Sequence, residues 1–238
     1  MSTNAVTRQL SEISPRVKAR LAGAFLLITM LAGVFPQGFI GDRLIVSGDA
    51  ATSDTNILAH EAPFRLAFAI YLIEMACQIT MTVLLYDLLK PVSRSVSMLT
   101  ATFGLIGCTI KTLSRLLFFA PLLILGGAHY LSVFDAKQLQ ALAFLFLRVD
   151  YQAETIAMVF FGLYALVKGW LVFRSRFLPR ILGVVGAVGG LGWLTYLYEP
   201  LAARVLPFIL GAAFVGALAN VLWLLVVGVN EERCQLPA

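Results

Sequence analysis

The sequence predicts an all-α protein: a polytopic transmembrane helix bundle of about six spans with both termini cytoplasmic. Three observations predict it. The 238 residues are 60% hydrophobic and 13% charged, with mean hydropathy +0.88. A soluble domain of this size carries about 25% charged residues, so too little polar surface is present to cover a globule. Six segments each supply the ~20 apolar residues that a bilayer-spanning helix needs. Lysine and arginine are distributed unevenly between the connections, as orientation signals are.

The segments run in order. Residues 1–19 are a polar, basic leader expected to lie in the cytoplasm. The first span, about 20–40, ends near Pro36 and Gly38. Its apolar stretch exceeds the roughly 7–15 residues of a secretory signal and lacks a small-residue cleavage site, so it reads as an uncleaved span. The second, about 65–89, stops before Pro91, and the third, about 96–125, is the longest and most polar. The fourth covers about 152–173, the fifth 180–198 and the sixth 205–229. Together 20–230 form a single transmembrane domain, and 231–238 a cytoplasmic tail. With the N-terminus inside, the inner flanks hold ten lysines and arginines, Arg94, Arg174, Arg176 and Arg180 among them, and the outer loops and helix edges five. The expected location is the inner (plasma) membrane.

Two outer connections carry helix signals. In 41–64, Asp49 and Ser53 are plausible N-caps of a short helix through "TNILAHE". In 135–150, Asp135 is a candidate cap for an amphipathic helix lying at the interface, or for an outward extension of the fourth span.

The charges inside the spans are the candidate site. Lys111 and Arg115 stand four residues apart in "IGCTIKTLSRLLFF", on one helix face. Counted from the expected span ends, Glu74 and Arg115 lie at matching depths of ~14 and ~15 Å. Gln78 and Lys111 form a second rung one turn deeper. A charge at mid-membrane costs about 2.5–3.5 kcal/mol on insertion scales, so partners are required. One carboxylate does not answer two cations. Asp150 and Glu154 are the supporting charges, with Arg115 the more reachable partner and Lys111 left in excess. Tyr71, Thr80, Thr112 and Ser114 are available hydrogen-bonding groups. Asp87 and Lys168 lie near the inner boundary, where snorkelling accounts for them.

Other chemistry finds no support in the pattern. Cys77, Cys108 and Cys234 form no CxxC or Cys/His cluster. His60 and His129 stand apart, "HEAPF" is not HExxH, and no metal or cofactor is expected. There is no nucleophile elbow, phosphate loop or dinucleotide fingerprint, so an enzyme ranks lowest. The excess of five positive charges is not a nucleic-acid footprint, because it lacks a basic tract with interleaved aromatics. Partners are expected to be the lipid bilayer and, as the sharper reading of the small-residue faces at Gly186, Gly190, Ala212 and Gly216, a second copy of the chain. The simpler reading of those faces is close packing within one chain.

The run "RLIVSGDAATSDTNILAHEAPFRLAFAIYLIE" (43–74), the turn "LYDLLKPVSR" (85–94) and "FGLYALVKGWLVFRSRFLPRILG" (161–183) resemble DUF4386, a bacterial multi-spanning membrane family and domain of unknown function. The resemblance covers roughly 16–230 and implies one integral membrane domain of about six spans, with no activity attached. From the residues themselves come two functional expectations. In one, Glu74, Gln78, Lys111 and Arg115 line a polar cavity that binds or moves a small anionic or lipid-like solute. In the other, the chain is a non-transporting subunit or assembly protein whose buried charges are staples.

Overall fold

A computed structural model of the protein describes residues 14–229. Arg8, Arg233, Cys234, most of the leader and the whole 231–238 tail lie outside the described residues. Seven α-helices carry the fold: α1 (Pro15–Pro36), α2 (Ala50–Ala59), α3 (Glu61–Leu89), α4 (Arg94–Leu125), α5 (Ala136–Arg174), α6 (Arg180–Leu194) and α7 (Glu199–Leu222). No strand occurs among the described residues. All of these but α2, with α6 continuing through a 3₁₀ turn to Leu197, are long and apolar enough to cross a membrane. The chain is a multi-pass membrane protein.

Local chemistry explains several boundaries. Asp49 accepts hydrogen bonds from the Thr52 amide (3.0 Å) and hydroxyl (2.6 Å), capping α2. The expected alternative cap, Ser53, is instead inside α2. Its Oγ accepts from the Val46 amide and donates to the Asp49 carbonyl, fastening the preceding turn. At α5, Asp135 accepts from the Gln138 amide (2.8 Å) while the Gln138 side chain accepts from the Asp135 amide (2.9 Å). This reciprocal capping box starts a helix that continues unbroken for 39 residues. A separate helix at 135–150 is therefore replaced by the other expected arrangement, an N-terminal extension of the fourth span.

The chain divides into two compact units. In the first, described over 14–27, 77–106 and 158–229, an apolar core joins Ala19 and Ala22, Leu88 and Leu89, Leu171, Leu178 and Leu224. Lys18 and Lys90 each bridge Asp87 at 2.5 Å. Lys168 is half-buried, its amine 4.9 Å from the Tyr164 ring centre. Glycines bring α5 and α6 to backbone contact. A Cβ on Gly169 would lie 2.6 Å from the Gly183 carbonyl oxygen, and one on Gly190 would lie 2.8 Å from that of Gly162. Gly216 packs on Val185, whereas Gly186 faces open space. Gly190 and Gly216 thus serve packing within the chain.

The second unit, 28–76 and 107–157, is built on aromatic contacts between α3 and α4. Phe64 stacks on Phe118 with centroids 4.3 Å apart, and Tyr71 meets the same ring edge-on at 5.6 Å. Ile57 of α2, fully buried, joins this core.

Candidate functional site: a buried ionic cluster

Within the second unit, four helices converge on five charges. The start of α3 determines which charges meet. Glu61 in the first turn and Pro63 just behind it are helix-start signals, since the first amides have no intrahelical acceptor to lose. Beginning at Glu61 rather than 65, α3 places Glu74 thirteen residues from its start (74 − 61). Lys111 is fourteen residues from the end of α4 (125 − 111), and Arg115 only ten (125 − 115). Glu74 and Lys111 therefore share a level.

The contacts agree. Lys111 Nζ donates to Glu74 Oε1 at 2.8 Å and lies 3.5 Å from Glu154 Oε1. Arg115 Nη2 lies 3.1 Å from Glu154 Oε2 and 3.4 Å from Asp150 Oδ1. The expected Glu74–Arg115 rung is corrected to Glu74–Lys111, because the one-turn extension of α3 moves the register by one turn. The expected Gln78–Lys111 rung is replaced by the same pairing. Gln78 belongs to the first unit, where its carbonyl accepts from Thr82. Asp150 and Glu154, one turn apart on α5, do reach Arg115 as expected, and Glu154 bridges both cations.

The surroundings hold the charges in place. The Arg115 guanidinium lies over Tyr71, 4.4 Å from the ring centre, in a cation–π contact. Tyr71 thus serves through its face, and its hydroxyl donates to Gln37 Oε1 at 3.2 Å. Arg115 Nε donates to Ser114 Oγ at 3.3 Å, and that hydroxyl donates to the Lys111 carbonyl. Gly33 of α1 lies against Glu74: a Cβ there would come 3.1 Å from Oε1. A larger residue would displace the carboxylate.

Two properties define what the cluster can do. It is largely buried: side-chain exposure is 2% for Arg115, 7% for Glu74 and Lys111, 9% for Asp150 and 23% for Glu154. It is also unbalanced, with Glu74, Asp150 and Glu154 facing Lys111 and Arg115. The surplus is therefore one carboxylate, the opposite of the unmatched Lys111 expected from the sequence. Glu74 Oε2 is buried and accepts no hydrogen bond among the described residues. Among those residues no group of three metal-ligating side chains is gathered for a metal ion.

Comparison with known proteins places the chain in context. A profile described as "Domain of unknown function (DUF4386)" matches residues 21–228. An uncharacterised protein of Archaeoglobus fulgidus is 28% identical over 123 residues, which are 52% of this chain and 58% of the relative. The match therefore spans little more than half of the relative's length. No solved structure matches. With the profile covering all six candidate spans almost completely, the chain belongs to the DUF4386 family.

Proposed function

We propose that this membrane protein holds one exchangeable proton in the ionic cluster, shared among Glu74, Asp150 and Glu154 and steered by Lys111 and Arg115. The observation that carries this reading is the ratio of three carboxylates to two cations in a largely buried site. An uncompensated charge in low dielectric is expensive. A proton is the smallest species that removes the surplus without needing a cavity. The same ratio weighs against the anionic solute, since both cations already face carboxylates. The role is non-catalytic, and the protein acts in the plasma membrane with both termini cytoplasmic.

Infrared titration of the protein in lipid tests this. A protonated-carboxyl stretching band should be present near neutral pH, shift in deuterium oxide, and vanish in Asp150→Asn combined with Glu74→Gln. A wild-type spectrum without a band removed by those substitutions refutes the proposal. A companion measurement asks whether the proton moves: proteoliposomes with Lys111→Ala should lose pH-driven proton flux, and wild-type-like flux removes Lys111 from the path.

The burial of Glu74, Lys111 and Arg115 favours a second reading, in which the cluster is a lock between α3, α4 and α5. Lys111→Leu alone then destabilises by about 3–5 kcal/mol, whereas Glu74→Leu with Lys111→Leu recovers most of the loss. Thermal unfolding in detergent measures both.

A further inference from the structure

The turns of the first unit carry a charge pattern that the cluster does not use. Arg16, Lys18 and Arg20 open α1, Lys90 and Arg94 flank the α3–α4 turn, and Arg174, Arg176 and Arg180 flank the α5–α6 turn. The shared core through Ala19, Leu89, Leu171 and Leu178 draws these helix ends together. Asp87 is the one carboxylate among the described residues of those ends, and Lys18 and Lys90 already occupy it. Arg94 and Arg174 are exposed, and neither lies within 4 Å of a carboxylate among the described residues.

Between α4 and α5 in this unit is an apolar groove of about 340 Å³, lined by Val96 of α4 and by Leu166, Val167 and Trp170 of α5. Val96 lies two residues beyond Arg94, and Trp170 lies four residues before Arg174. The Arg174 guanidinium sits 5.5 Å from the Trp170 ring centre, which places one cation at the mouth of the groove. A greasy slot with Arg174 at its mouth, and with Arg94 two residues along the chain from its Val96 wall, suits a molecule with an anionic head and a hydrocarbon tail.

We infer that this groove is a binding site for an anionic glycerophospholipid, with an acyl chain against Val96, Leu166, Val167 and Trp170 and the phosphate between Arg94 and Arg174. A guanidinium pair recognises phosphate by charge-assisted hydrogen bonds. Charge complementarity selects the occupant: a zwitterionic lipid fills the slot equally well but gains less from the arginines. The inference is independent of the proton proposal, since it concerns other residues.

The test uses the full chain in detergent with phosphatidylglycerol, phosphatidylcholine or inorganic phosphate added, and native mass spectrometry counts the bound lipid. Wild type should retain phosphatidylglycerol in preference to phosphatidylcholine. Arg94→Gln with Arg174→Gln should lower that preference roughly 30-fold, about fivefold for each arginine near the surface. Leu166→Trp, which fills the slot, should reduce binding of both lipids. Arg176→Gln with Arg180→Gln removes the same charge from the α5–α6 turn without touching Arg94 or the Arg174–Trp170 contact, and should leave the preference intact. Equal retention of both lipids by wild type overturns the inference. So does an equal loss in the Arg176/Arg180 variant, which marks diffuse surface charge, or competition by inorganic phosphate alone. If the glutamine pair fails to fold, Arg94→Lys with Arg174→Lys replaces it. That variant should keep a reduced preference, and an unchanged preference counts against guanidinium recognition.

Discussion

Asp54 shows what a single residue can add to the connection between α1 and α3. It lies on α2 with 2% exposure, and neither carboxylate oxygen has a hydrogen-bond partner among the described residues. Burial pushes its carboxyl up to about 6. The folded state therefore binds this proton more tightly than the unfolded chain does. The resulting stabilisation is full below the ordinary carboxylate range and is lost as pH rises through about 6. Hydrogen exchange of the α2 amides should slow as pH is lowered from 7 to 5, after correction for intrinsic rates. Asp54→Asn should abolish that dependence and stabilise α2 at pH 7 by about 1 kcal/mol. An unchanged pH dependence in the variant would contradict the assignment. Asp49 behaves oppositely: hydrogen bonds from Thr52 hold its carboxyl below the usual range, so this cap persists until strongly acidic pH.

At the scale of elements, helix ends and helix contacts have different causes. Ends follow local rules. Asp135→Ala removes the capping box of α5 and should cost about 1 kcal/mol, with fraying confined to the first turns by hydrogen exchange. Contacts depend on the opposing surface. Gly169→Val would drive a side chain into the Gly183 carbonyl and Ala187, neither of which can move aside cheaply. A loss of about 1–3 kcal/mol in unfolding free energy is expected. Gly186→Val, with nothing within 4 Å, is the matched control and should unfold like wild type. Both glycines lie inside apolar helical segments, and only the packed structure separates them. Ser53 makes the same point: its sequence context suits a cap, yet its hydroxyl is taken by the turn at Val46.

For the whole molecule, orientation is the property most directly open to test. In a Cys234→Ser background, Val133→Cys in the exposed α4–α5 connection and Arg176→Cys in the α5–α6 turn should lie on opposite sides of the membrane. A membrane-impermeant maleimide applied to intact spheroplasts should label Val133→Cys at once. Arg176→Cys should label only after permeabilisation. The reverse pattern would invert the proposed topology.

Helix number, approximate span limits, family membership and the members of the charged cluster were legible in the amino-acid order, because a bilayer demands long apolar runs and makes each interrupting charge conspicuous. Pairing within the cluster was not. It depended on a one-turn extension of α3 from Glu61, and on α5 bringing Glu154 within reach of both cations. Composition along the chain fixes which charges enter the membrane, since that cost is paid residue by residue. Which charge neutralises which belongs to the packed helices, since register shifts by a whole turn with small changes in where a helix begins. The packing is what turned an expected surplus of Lys111 into a surplus of one carboxylate.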